Sequence, residues 1–264
     1  MEKAKKEKAV ITGPIPANMS EPPALQAPVT SLLSSIKANN ISNKLVVVTA
    51  PESYEAESFK LLRAQILFTQ NRERPRTIMV TSAMPGDGKT FVAANLAASI
   101  AMGIDEHVLM VDCDLRRSSL HMMFGVSNKN GLNEYLKKEK NLQDLLIKTC
   151  VDKLSFLPAG NVTRNPSELL ASSDMKAFLE EVRERYDDRF IILDTPPSQV
   201  LAESNIISNF VDGIVFVVRE NATPRDMVQK AVASFDKDKI LGIVVNGHTH
   251  LQKNRAYYYK NYYQ

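Results

Sequence analysis

The sequence predicts an α/β fold, a mainly parallel sheet with helices on both faces. Short apolar runs of strand length alternate with longer segments whose apolar residues recur at helical spacing. Several of these runs are apolar at every position, as in strands that are buried on both faces. The chain has 264 residues, which is enough for one substantial core and short for two full domains.

Before the first predicted element lies a segment that is rich in proline and has little periodic apolar content. We expect residues 1–44 to form a flexible arm. Its basic start has two interpretations, which are contact with acidic lipid and a solvated tail.

Charge and hydropathy exclude several classes of protein. The chain carries 33 basic and 30 acidic side chains, so no overall field favours nucleic acid as a partner. Its longest apolar runs fall well short of the roughly 20 residues that span a bilayer, and residues 1–20 lack the apolar core of a secretory signal. Cys113 and Cys150 have no disulfide or zinc spacing. We expect a cytoplasmic protein.

The predicted domain runs from residue 45 to residue 250. A predicted helix at 52–70 follows the first strand, a helix that ends at Gly103 follows the second, and a helical segment lies around 131–139. The predicted strands are KLVVVTA (44–50), RTIMVTSA (76–83), HVLMVDCD (107–114), KLSFLPAG (153–160), FIILDTPP (190–197), GIVFVVRE (213–220) and ILGIVVNG (240–247).

The segment from Ala83 to Thr90 reads A-x-x-x-x-G-K-T between a strand and a helix, which is the context of a phosphate-binding P-loop. Glycines let the backbone turn its N–H groups inward, and the helix presents its positive end to the phosphates. We expect Lys89 to reach the β and γ phosphates and the Thr90 hydroxyl to bind Mg²⁺. The residues predicted to bind ATP here are Gly86, Asp87, Gly88, Lys89, Thr90 and Phe91.

Acidic residues follow two further predicted strands. Ligands of an open α/β sheet gather at the carboxyl ends of the strands, where Asp112 and Asp114 end one run and Asp194 ends another. Alternate residues of an extended chain point to the same side. One acid of the pair can hold Mg²⁺ through water while the other accepts a proton from a hydroxyl, and Asp194 is placed for a second Mg²⁺ contact.

The loop, the paired acids and the terminal acid occur in the order found in ATPases that position division sites and partition plasmids. Those proteins usually carry an extra lysine near the start of the loop. The segment SAMPGDGKT has no lysine before Lys89, which counts against a switch ATPase that holds ATP between two subunits.

The predicted tail, residues 251–264, holds five of the eight tyrosines of the chain among basic and amide neighbours. A mobile tail of phenols offers phosphoryl acceptors, and each phosphate adds nearly two negative charges. The alternative is an interaction tail that stacks on a partner or on RNA. The tail tyrosines are Tyr257, Tyr258, Tyr259, Tyr262 and Tyr263.

With these motifs, residues 45–264 resemble the bacterial tyrosine kinases, a P-loop family linked to capsule and exopolysaccharide export. The stretch NPSELLAS at 165–172 matches as well. The resemblance implies that Asp112 is the base for the tyrosine hydroxyl, that Asp114 and Asp194 join Thr90 at Mg²⁺, and that Asn246 lies near the adenine of ATP.

The family also carries an assembly motif, E-x-x-R-x-x-R, which here becomes Glu57, Lys60 and Arg63. Spacing of three places these charges near one helix face, where they can pair with a neighbouring subunit. Lys60 lacks the fork of arginine, which weakens such a contact. The resemblance implies a ring in which each tail enters the neighbouring active site, and a separate membrane adaptor that recruits the kinase to the inner face of the membrane.

Three functions therefore follow from the sequence. The first is an ATP-dependent autokinase that acts in trans on the tail tyrosines and regulates polysaccharide export. The second is a positioning or partitioning ATPase whose phosphoryl acceptor is water. The third is a mainly structural, ring-forming regulator of export for which the nucleotide is only a ligand.

Overall fold

The computed structural model describes residues 41–68, 73–185, 189–200 and 202–248. The described residues belong to one compact unit. Nearly all of the predicted arm and the whole of the predicted tail, with the tail tyrosines, lie outside the described residues.

The described part of the chain contains a seven-stranded sheet with the order β3-β4-β2-β5-β1-β6-β7. All pairs of neighbouring strands are parallel except β3 and β4. The two-residue strand β3 was not predicted. The strands are β1 (Thr77–Ser82), β2 (His107–Asp112), β3 (Ile147–Lys148), β4 (Leu154–Leu157), β5 (Arg189–Asp194), β6 (Gly213–Arg219) and β7 (Ile240–Asn246).

Helices connect the strands, and most of them are short. The two long helices predicted near the start of the domain are confirmed as α2 and α3, and the predicted segment around 131–139 contains α5. The helices are α1 (Val46–Thr49), α2 (Tyr54–Leu67), α3 (Lys89–Ala101), α4 (Leu120–Phe124), α5 (Leu132–Leu136), α6 (Leu142–Leu145), α7 (Pro166–Leu170), α8 (Ser173–Arg185), α9 (Glu203–Ile207) and α10 (Arg225–Ala233).

Each face of the sheet has its own hydrophobic core, because successive side chains of a strand point to opposite faces. In β1, Ile78 and Val80 join the core beneath α2 and α3. Met79, between them, joins the second core with Phe178 of α8. The predicted P-loop fold, with helices on both faces of a mainly parallel sheet, is thereby confirmed.

The prediction of a strand at 44–50 is wrong, because its centre forms the one-turn helix α1. Its β-branched residues favour a strand, but a side chain of α3 takes the backbone groups that a neighbouring strand would otherwise bond. Asn95 accepts a hydrogen bond from the Val47 amide at 3.1 Å and donates one to the Lys44 carbonyl at 2.9 Å. Leu45 and Val47 are buried there.

Candidate active site

The phosphate loop connects β1 to α3 and depends on two glycines with left-handed backbone. Gly86 has a φ of 88° and Gly88 a φ of 94°, where a residue with a Cβ is strained. Gly88 is also enclosed, because a Cβ added to it would overlap the side-chain amide of Asn246. The loop therefore requires glycine at this position for two separate reasons.

Asp87 holds the loop in shape from within. Its side chain accepts hydrogen bonds from the Met84 amide at 3.0 Å and from the Thr223 hydroxyl at 2.6 Å. Asn246 donates to the Asp87 carbonyl at 2.9 Å, and Arg219 donates to the Gly86 carbonyl at 3.1 Å. The structure thus places Asp87 and Asn246, both predicted to bind ATP, within the framework of the loop.

Phe91, the last of the predicted ATP-binding residues of the loop, packs in the first turn of α3. Its ring meets the Phe59 ring of α2 edge to face, with centroids 5.6 Å apart. This contact ties α2 to the base of the phosphate loop.

Lys89 lies among the predicted acids. Its Nζ is 3.2 Å from Asp114 Oδ2, 3.7 Å from Asp194 Oδ1 and 3.3 Å from the Thr90 hydroxyl. Burial alone would lower the pKa of Lys89, but the charges of Asp194 and Asp114 outweigh burial and raise it. The lysine therefore stays protonated, which is the form that its predicted contact with phosphate requires.

Asp112 and Asp194 end adjacent parallel strands and are register partners. Asp112 is fully buried, and its carboxylate accepts hydrogen bonds from the Ser118 hydroxyl at 2.7 Å and from the Asp114 amide at 3.0 Å. Burial, reinforced by the charge of Asp194, raises the pKa of Asp112 to about 7. Burial also raises the pKa of Asp194, although Lys89 opposes that shift. The structure brings these predicted site residues together.

A cluster around Glu203 supports the loop between the acids and α4, and no sequence pattern pointed to it. Glu203 of α9 is 1% exposed, and its Oε1 accepts hydrogen bonds from Arg116 Nε at 2.8 Å and from the Ser167 hydroxyl at 3.0 Å. Arg116 follows Asp114 by two residues. Glu203 therefore anchors the segment that carries the acids to α7 and α9.

The oxygen atoms of the site fit Mg²⁺. Within the described residues, Asp194 Oδ1 is buried and accepts no hydrogen bond, and the Asp114 carboxylate and Thr90 hydroxyl lie around the same lysine. No group of three His, Cys, Asp or Glu side chains in the described ranges could hold a metal by itself. Such an incomplete oxygen set is typical of Mg²⁺ bound together with substrate phosphates.

The predicted assembly residues make contacts within the chain. Lys60 pairs with Glu57 at 2.9 Å, one helical turn away on α2. Arg63 donates to the Ser99 carbonyl of α3 at 2.7 Å. Their predicted contact with a second subunit stays a prediction.

Comparison with known proteins decides the family. Residues 75–223 match the family described as AAA domain. Tyrosine-protein kinase YwqD of Bacillus subtilis (strain 168) is 32% identical over 225 residues, which cover 84% of this chain and 93% of that one. The chain belongs to the bacterial tyrosine kinase family. This tyrosine kinase is also similar to the putative tyrosine-protein kinase CapB of Staphylococcus aureus, at 31% identity over 84% and 97% of the two chains.

Solved structures agree with this assignment. The kinase domain of Escherichia coli tyrosine kinase ETK aligns with a TM-score of 0.72 and 32% identity, covering 77% of this tyrosine kinase and 79% of that domain. The septum site-determining protein MinD of Pyrococcus horikoshii aligns with a TM-score of 0.52 and 24% identity. At this level of identity, the similarity shows a common fold and nothing about function. Within the described residues of this kinase, no helix is long and apolar enough to cross a membrane.

Proposed function

We propose that this kinase uses ATP to phosphorylate the tail tyrosines of a neighbouring copy of itself, and that this controls assembly of a polysaccharide export system. The observation that carries the proposal is the environment of the Asp112 carboxylate and the raised pKa that results from it. Its carboxylate forms no ion pair within the described part of the chain, and its pKa is raised to about 7 by burial and by Asp194. A carboxylate of this kind accepts a proton from a hydroxyl near neutral pH.

Different residues of the site are proposed to bind the phosphates, to accept the proton and to hold the metal during phosphoryl transfer. Lys89 and the inward amides of the loop hold and orient the phosphates, with Asn246 at the loop on the side proposed for the adenine. Asp112 accepts the phenol proton, the phenol oxygen forms the bond to the γ phosphorus, the bond from phosphorus to the β–γ bridging oxygen breaks, and ADP leaves. Thr90, Asp114 and Asp194 would hold Mg²⁺, which neutralises phosphate charge when bound.

The assembly rests on resemblance and on the position of α2. Glu57, Lys60 and Arg63 lie along this helix, and their present contacts involve one turn of α2 and a carbonyl of α3. We propose that they exchange these contacts for a neighbouring subunit in a ring. A membrane adaptor is the proposed second partner, and it would recruit the kinase to the inner face of the membrane.

Intact-mass spectrometry before and after phosphatase treatment tests the reaction. Phosphates are expected on the wild-type tail and on no residue of Lys89→Met or Asp112→Asn. Steady ATP hydrolysis without phosphotyrosine would instead favour a switch ATPase. Polysaccharide export that persists in a strain with Lys89→Met would favour a structural regulator.

A mixing experiment tests transfer between subunits. One chain carries Lys89→Met and intact tyrosines, and the other carries an intact site with all five tail tyrosines changed to phenylalanine. Phosphate on the Lys89→Met tail is expected, because only the second chain can supply it. If the Lys89→Met tail carries no phosphate in the mixture while the tail of a wild-type control does, transfer in trans is contradicted.

A further inference from the structure

The Asp112 carboxylate is held from two sides by the segment that joins β2 to α4. Its Oδ1 accepts a hydrogen bond from the Asp114 amide at 3.0 Å, and its Oδ2 accepts one from the Ser118 hydroxyl at 2.7 Å. The amide belongs to the backbone just after β2. The hydroxyl belongs to a side chain, so the contact with Ser118 can be removed by a substitution while the backbone contact stays.

His121 fixes the direction of the Ser118 hydroxyl. Ser118 Oγ lies 3.2 Å from His121 Nδ1. An ionised carboxylate can only accept hydrogen bonds, and a hydroxyl has one hydrogen, which Ser118 donates to Asp112. The Nδ1 of His121 must therefore carry a hydrogen and donate it to Ser118 Oγ. Burial lowers the pKa of His121, which favours a neutral ring, and the contact with Ser118 selects its tautomer.

The helix α4 fixes the backbone of His121. The His121 carbonyl accepts a hydrogen bond from the Val126 amide at 3.1 Å. Three of the five residues of α4 are buried in the core beneath α2 and α3, namely Leu120, Met123 and Phe124. The hydrogen bonds that run from His121 through Ser118 to Asp112 therefore begin at a side chain whose backbone is anchored by packing.

These hydrogen bonds decide which way the Asp112 carboxylate faces. The last torsion of an aspartate side chain has a broad energy profile, so a carboxylate without partners rotates readily. Each carboxylate oxygen has two lone pairs, and one hydrogen bond to each oxygen leaves a second lone pair for a substrate hydroxyl. Loss of the bond to Oδ2 would free the rotation. Misplacement of a reacting group by about 1 Å can cost about a hundredfold in rate.

We propose that Ser118, oriented by His121, is a positioning residue that turns the Asp112 carboxylate toward the hydroxyl of the acceptor tyrosine. Its effect passes through Asp112, so it raises the rate of transfer and leaves the binding of ATP unchanged. The role rests on the proposed function, because it requires a hydroxyl as acceptor and Asp112 as its base.

Initial rates of tail phosphorylation at varied ATP test this role in the full chain, which is first treated with a phosphatase that is then removed. Ser118→Ala is expected to lower the maximal rate at least about tenfold. The ATP concentration that gives the half-maximal rate should change less than about twofold. Ser118→Thr keeps the hydroxyl and should restore most of the rate. A maximal rate for Ser118→Ala equal to that of the wild type would overturn the proposal.

Ser119 supplies a matched control for the alanine substitution. It is the next residue along the loop, and its side chain does not cap α4. Ser119→Ala should keep the wild-type rate. An equal loss of rate in the two alanine variants would contradict a role that is specific to Ser118.

Two substitutions of His121 test the other end of the hydrogen-bonded chain. His121→Asn places an amide donor near the position of Nδ1, whereas His121→Leu has no donor. The maximal rate is expected to fall in His121→Leu and to recover in His121→Asn. Equal rates in these two variants would show that His121 does not orient Ser118.

Urea unfolding at pH 8, without nucleotide and with a chelator present, measures the contact without catalysis. Ser118→Ala should lower the urea midpoint of the wild type more than that of Asp112→Ala, in which the acceptor of the hydrogen bond is missing. Equal shifts in the two backgrounds would show that Ser118 does not bond Asp112, and would overturn the proposal whatever the rates are.

The two measurements separate this role from the proposed function. If the midpoint shifts differ but the wild type forms no phosphotyrosine, the proposed function fails and the positioning role fails with it. If the wild type forms phosphotyrosine and Ser118→Ala forms it at the same rate, the positioning role alone fails.

Discussion

Replacing Asp112 by asparagine should stabilise the kinase at neutral pH while it removes the proposed base. The pKa of Asp112 rises from 3.8 to about 7 on folding, because burial and the charge of Asp194 oppose ionisation. Between those pH values the folded state binds a proton that the unfolded state has released. Stability of the wild type therefore falls as pH rises through this window, and it levels off above about pH 7.

The size of the effect follows from the shift. One pKa unit corresponds to about 1.4 kcal/mol, so the wild type loses about 2–3 kcal/mol between pH 5 and pH 8 through this group. An asparagine side chain cannot ionise, and the advantage of Asp112→Asn over the wild type should grow by that amount across the same range. Removal of a buried catalytic acid commonly stabilises a fold in this way.

Urea unfolding at pH 5, 6, 7 and 8, without nucleotide and with a chelator present, measures the difference. Asp226→Asn is the control, because Asp226 is an exposed acid on α10 that pairs with Lys230 at 3.9 Å. A stability difference between Asp112→Asn and the wild type that stays constant with pH would refute the reasoning. So would a variant that is less stable than the wild type at pH 8.

Three further substitutions have expected outcomes. Arg116→Ala leaves Glu203 buried without its cation and should lower the free energy of unfolding in urea by about 2 kcal/mol. Adding Glu203→Gln to this variant should restore much of that loss. Gly88→Ala drives a methyl group into Asn246 and should abolish binding of an ATP analogue in calorimetry. Thr223→Val removes the hydroxyl that donates a hydrogen bond to the Asp87 carboxylate inside the loop. It should weaken binding of the ATP analogue about tenfold.

Each of these has a matched control. Arg117→Ala removes an exposed neighbour of Arg116, and an equal loss of stability there would contradict the role of Glu203. Gly86→Ala adds the same backbone strain as Gly88→Ala but meets no atom within 4 Å, so equal loss of binding would exclude the overlap with Asn246 as the cause. Thr223→Ser keeps the hydroxyl and should bind as the wild type does.

The main architecture and the central acids could be predicted because their signals are local. A few consecutive residues are enough to recognise a strand that ends in an acid, as at Asp194. The same holds for a glycine loop between a strand and a helix, as at Lys89. The groups that hold these residues are not local. Glu203 is 87 residues from Arg116, and Thr223 is 136 residues from Asp87, so neither pairing has a sequence pattern.

The strand prediction at 44–50 failed for the same physical reason. Local preference favours an extended conformation for three successive valines, but the backbone there bonds to Asn95, which is 48 residues away from Val47. Ser118 also escaped prediction, although it follows Asp112 by only six residues, because a serine in a loop carries no signal of its partner.

The position of Lys89 has a consequence for what can enter the site. Its charge is already met by Asp114 and Asp194, and Asp112 adds a further acidic group behind them. In the described part of the site, the charge of Lys89 is therefore not free for an inorganic anion, and the positive groups that remain at the loop include its amides and Arg219, which donates to the Gly86 carbonyl. A bare polyphosphate meets repulsion there, whereas one that arrives with its own divalent cation supplies both partners at once. We therefore expect the acids to make the site selective for metal-loaded nucleotide over free phosphate and sulfate.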